Sequence, residues 1–152
     1  VKMAYQAKKH KQFREDFELV NEDGEVEHTL HVAIDADSMV VNINRKYCAL
    51  VRAMNETSEV KRKAENAEEI SGCIDTLGRA VVDLLEAVFG AEDAKTIVDF
   101  YANRYVEMSQ EVLPFINQVV IPRMIEIRNK NKKATINKYN RKQRHAILKG
   151  LR

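Results

Sequence analysis

The sequence predicts a mainly α fold with an N-terminal β-hairpin, an α+β chain whose helical domain holds four to five helices. Three observations carry this. Ile70, Ile74, Leu77, Val81, Leu84, Leu85 and Val88 recur at spacings of three and four, which places them on one side of a helix. Phe13, Phe17 and Leu19 alternate with Arg14, Asp16 and Glu18, a period of two. Between the second such run and the helices stands Asp35-Ala36-Asp37-Ser38, a helix-opening signal.

At 152 residues the chain fits one domain. We divide it into a basic N-terminal arm (1–12), a β-hairpin plus helical domain (13–128) and a basic C-terminal tail (129–152). The arm has weak periodicity and many lysines, and reads as mobile or as a fraying helical turn. It lacks an apolar segment followed by a cleavage site, so it does not read as a secretory signal.

The hairpin pairs Phe13–Val20 with Glu25–Ile34 around Asn21-Glu22-Asp23-Gly24. Glu15 is the exception on the apolar face of the first strand. Val26, His28, Leu30, Val32 and Ile34 share one face of the second. Two strands alone are marginal in water, so the hairpin must pack on helices or on another chain.

The first helix opens after Asp35 and buries Val40, Ile43, Tyr47, Leu50, Val51 and Met54. Residues 55–66 are polar all round except Val60 and read as its solvated continuation or a loop to the next helix, with composition favouring helix. The next helix runs Ala67–Phe89 and ends at Gly90. Gly72 and Gly78 inside it suggest close approach of another helix. Ala94, Ile97, Val98, Tyr101 and Tyr105 form a second periodic run. Val112, Phe115, Ile116, Val119 and Val120, then Met124, Ile125 and Ile127, form a third. Pro114 suits a helix's first turn, and Pro122 suits a bend. Beyond Ile127 the apolar residues are too sparse for a core helix; an amphipathic helix that forms on a partner fits better.

Charge is segregated. Residues 1–14 hold five basic residues and no acid, residues 15–122 hold 22 acidic against nine basic, and residues 123–152 hold eleven basic and only Glu126 as acid. A subunit so polarised suits stacking on copies of itself, or docking onto something acidic. The best functional surface is the tail: Lys130, Lys132, Lys133, Lys138, Tyr139, Arg141, Lys142 and Arg144, with Arg123 and Arg128 before it. Its cations could also neutralise phosphates, so nucleic acid is the alternative partner. Phe115, Ile116, Val119 and Val120 are the candidate apolar contact face.

Catalytic patterns are scarce. His28 and His31 fall on opposite strand faces and cannot share an ion. His10 and His145 are expected to lack an acidic orienting partner. Asp35 and Asp37 read as a cap rather than a metal pair. Cys48 and Cys73 lie on apolar helix faces, expected as buried thiols in a reducing compartment, with no C-x-x-C between them. No P-loop, G-x-G-x-x-G or G-x-S-x-G occurs. No apolar run approaches the ~20 residues that cross a bilayer. We expect no enzyme, no cofactor, no metal and no membrane partner.

The run Ile74-Asp75-x-Leu77-Gly78-Arg79-Ala80-x₄-Leu85-x₃-Phe89-Gly90-Ala91-Glu92-Asp93-Ala94, then Phe100-Tyr101 and Glu111-Val112-Leu113-Pro114-Phe115-Ile116, resembles small tail assembly chaperones of long-tailed (siphovirus-like) phages and prophages of Gram-positive bacteria. The likeness covers roughly residues 67–130. It implies a non-catalytic protein of the bacterial host cytoplasm that coats the tape measure protein while the tail tube grows. It also implies self-association and, as a further contact, the tail tube protein.

Overall fold

The computed structural model describes residues 4–63 and 65–150, with side chains as far as Asn140. It is a mostly helical α+β chain, as predicted: β1 (Phe13–Val20), β2 (Val26–Ile34), α1 (Ala36–Lys63), α2 (Ala67–Phe89), α3 (Ala91–Phe100), α4 (Tyr105–Phe115), a π-helical turn (Ile116–Val120) and α5 (Ile121–Gly150).

The hairpin forms because Asn21 closes its turn. The Asn21 side-chain oxygen accepts from the amides of Asp23 and Glu25, each at 3.0 Å, and Gly24 takes φ +82°. Phe13 then faces Ile34, Phe17 faces Leu30 and Leu19 faces His28, with a bulge between Leu19 and Val20. The second strand starts one residue later than predicted. Its inner face is also only partly covered: Leu30, Val32 and Ile34 are buried, whereas Val26 and His28 are exposed. The helices cover the hairpin as far as Leu19, beside which His28 meets Phe100 of α3 at 6.4 Å between ring centroids, and leave Val20 and Val26 exposed at the turn. The predicted misfit, Glu15, is resolved by Arg123, whose Nη1 donates to its Oε2 at 2.6 Å and so ties β1 to α5.

Asp35 caps α1. Its carboxylate accepts from the Asp37 amide (3.2 Å) and the Ser38 hydroxyl (2.8 Å). The helix runs to Lys63, so residues 55–63 continue it as expected. They are not all solvated: Thr57 is buried against α2, its hydroxyl donating to Ala53 O at 2.8 Å. Asn66 caps α2 through the Glu69 amide at 3.0 Å, and Gly90 ends it at φ +86°. Leu77, Val81, Leu84, Leu85 and Val88 of α2 are all buried, and α1 with α2 makes the largest helix–helix contact. Gly78 marks a close approach, since a Cβ there would lie 2.8 Å from the Tyr105 ring; Gly72 has nothing within 4 Å. Cys48 is exposed and Cys73 half-buried, so the expectation of two buried thiols fails: Cys48 sits on the side of α1 turned away from Ile43 and Leu50.

The run Ala94–Tyr105 is not one helix. α3 stops at Phe100, where Asn103 N bonds Val98 O (3.2 Å) and Ala102 N bonds Asp99 O (3.1 Å). This pair of closures needs a left-handed residue, and Ala102 (φ +48°) and Asn103 (φ +61°) supply it. Periodicity across the break misled because both helices bury the same side. An alanine with positive φ is strained, so Ala102→Gly is expected to raise stability by about 0.5–1 kcal/mol, relief of the left-handed strain exceeding the added chain entropy. Urea midpoints check it; a lower midpoint would contradict the strain.

Next to this corner, burial first, then the charges of Glu111 and Glu107, raise the Tyr101 hydroxyl pKa above its ordinary value against a smaller opposing effect of Arg104. A raised pKa favours the protonated form in the fold. Its stabilisation is complete below pH 10 and drains as pH rises through the raised value. Tyr101→Phe is therefore expected to flatten the alkaline fall in stability, read from thermal unfolding above pH 10.

Pro114 occupies the last turn of α4 rather than a first turn. Pro122 lies one residue into α5 and has no N–H for Gln118 O. The helix widens just before it: Ile121 N bonds Ile116 O, five residues back. That wide turn lets the pyrrolidine ring pass without ending the helix.

Candidate functional site

α5 is the unexpected element. The segment 129–152, read as a tail, is a continuation of the helix as far as Gly150. Met124 and Ile127 anchor its first two turns in the core. From Arg128 to Asn140 every side chain is exposed except Asn131, which is half-buried. Asn129, Asn131, Asn137 and Asn140 are poor helix formers, so contacts rather than propensity must hold this stretch.

One source of contacts is the N-terminal arm. Residues 4–12 form no helix or strand and lie along α5. Asn131 Nδ2 donates to the Lys11 carbonyl (3.4 Å), Lys138 Nζ donates to the Gln6 carbonyl (3.5 Å), and the same ammonium stands 4.2 Å from the Tyr5 ring centroid. His10 Nδ1 lies 2.7 Å from Asp37 Oδ2. Reading the arm as a helical turn is thus corrected, as is the expectation that His10 lacks an acidic partner. These partners stand 27 to 132 positions away in the chain, beyond the reach of local pattern. His145 lies outside the described side chains. His31 pairs across the hairpin with Asp16 at 2.7 Å.

Arm and α5 together wall an open groove of about 940 Å³. Arg123, Glu126, Ile127, Lys130 and Asn131 line it from α5, at the spacing of one helix face. Lys9, His10, Lys11, Gln12 and Arg14 line the other side, and Asp35 and Asp37 the end. Lys130 Nζ sits 3.0 Å from Glu126 Oε1. That hydrogen bond, then the charge of Lys130, holds the Glu126 carboxyl below the usual carboxylate range.

The tail residues singled out from the sequence do not all meet here. Lys130 lines the groove, Lys138 holds the arm, and Lys132, Lys133 and Tyr139 are exposed. Arg141, Lys142 and Arg144 lie outside the described side chains. The opposite face of α5 carries Ile125 (45 % exposed), Ile136 (47 %) and Tyr139 (63 %). At ~100° per residue these three fall within an arc of about 60°.

The candidate apolar face Phe115, Ile116, Val119 and Val120 is corrected. Ile116 and Val120 are buried in the core. Phe115 closes a three-ring cluster with Phe17 (4.9 Å) and Phe89 (6.0 Å), and Val119 packs half-buried against the core. The chain uses this face itself.

No known protein family, curated protein or solved structure matches the chain. Among the described residues no cluster of three or more His, Cys, Asp or Glu side chains could hold a metal ion, and no helix is long and apolar enough to cross a membrane.

Proposed function

We propose that this chain is a non-catalytic tail assembly chaperone of the long-tailed phage type, acting in the bacterial host cytoplasm on the tape measure protein. The observation that supports it is the outward half of α5. A helix of low propensity extends past the body, with the arm on one side and Ile125, Ile136 and Tyr139 bare on the other. A partner helix laid along that side buries the three apolar groups and stabilises the helix that receives it. The tail tube protein and further copies of the chain are secondary contacts under the same reading.

The test pairs the full chain with helical segments of a phage tape measure protein. Binding is expected by calorimetry, with Ile136→Asp and Tyr139→Ala each weakening it at least about tenfold, the loss of one well-buried anchor. The alternative, a nucleic-acid accessory protein acting through its basic ends, predicts DNA affinity falling linearly with log salt. Tight DNA binding without peptide binding would sink the chaperone reading.

A further inference from the structure

The groove between the arm and α5 is electrically unbalanced in a way its residue list hides. Its three carboxylates are engaged: Asp35 caps α1, Asp37 faces His10, and Glu126 faces Lys130. Of its five cationic side chains, Arg123 is held by Glu15 and Lys130 by Glu126. Lys9, Lys11 and Arg14 have no carboxylate within 4 Å among the described residues. Three cations without a contacting carboxylate thus line one wall, Lys11 alone among them feeling the more distant charge of Glu126, and the other wall, α5, is itself basic. Like charges brought together repel unless an anion lies between them.

We propose that this groove is a docking site for an acidic peptide segment of a partner protein, whose carboxylates pair with Lys9, Lys11 and Arg14. Arg123 and Lys130 stand seven residues apart on one face of α5, about 10 Å along the axis. Already paired with Glu15 and Glu126, they add positive charge across the groove that strengthens the first set of pairs.

A peptide fits better than a nucleic acid because of the groove's own acids. A phosphodiester chain is charged at every step and must lie against Asp35, Asp37 and Glu126. A peptide sets carboxylates against the free cations and neutral side chains against the acids. The site is separate from the bare face of α5 and stands whether or not the partner is a tape measure protein.

The test uses the full chain and a fluorescent amphipathic peptide carrying glutamates seven residues apart, with the glutamine version as control. The glutamate peptide is expected to bind saturably by anisotropy and the glutamine peptide not to. The triple variant Lys9→Gln/Lys11→Gln/Arg14→Gln should weaken binding about tenfold, three part-exposed ion pairs lost together. The triple variant Arg52→Gln/Lys61→Gln/Lys63→Gln removes as much charge from exposed positions of α1 outside the groove, and should change binding less than about twofold. If the groove triple fails to fold by circular dichroism, Lys11→Gln alone should still weaken binding about twofold. Equal losses in both triples, absence of saturable binding, or tighter groove-dependent binding of single-stranded DNA would each overturn the proposal.

Discussion

Phe13→Ala is expected to destabilise the chain by about 3–5 kcal/mol, the range for removing a fully enclosed aromatic ring. Phe13 is 0 % exposed and opens β1 opposite Ile34, the last residue of β2. Arg123 ties α5 to Glu15 two residues further on, and the arm begins one residue before. The ring therefore sits where hairpin, arm and α5 converge. Its loss leaves a cavity that the paired strands cannot close without breaking register. Urea unfolding with a fixed slope measures the cost. A change under about 0.5 kcal/mol, the size of a surface effect, would place Phe13 outside the core.

Leu84→Ala should cost about 2–5 kcal/mol. Leu84 is 1 % exposed, at the junction where α2 meets Leu50 of α1 and Ser109, Val112 and Ile116 of the last helical layer. A small void of about 10 Å³ already lies among these side chains. It is about the least that holds one water, and its lining is apolar but for Ser109, whose hydroxyl is spent on Tyr105 O at 2.6 Å. Truncation would enlarge an apolar gap that is already there, which puts the expected cost toward the upper part of the range. Calorimetric melting checks it, each kcal/mol lowering Tm by about 2–4 °C for a chain this long.

Most of the fold was legible because its signals are local. Ala67–Phe89 follows from periodicity and Gly90, and the hairpin from alternation and Gly24. The break after Phe100 was not legible, because its left-handed residues are Ala102 and Asn103 where glycine is the usual sign. The continuation of α5 past Arg128 was masked by its four asparagines, which are poor helix formers, and by apolar residues too sparse to show a buried stripe. The groove was half legible. The basic excess at both ends is plain in the sequence, but that Lys11 should lie beside Asn131 depends on tertiary docking across 120 positions. The apolar stripe Phe115–Val120 shows the reverse error: periodicity reports that a face is covered, not by which chain.

The arm's dependence on α5 has a consequence for synthesis. Lys11 is joined to the chain 120 residues before Asn131, its hydrogen-bond partner, is made. At typical elongation rates that is about 6–24 s. Until then Lys11 and Gln6 lack the helix they lie along, so the arm docks only after α5 has been made.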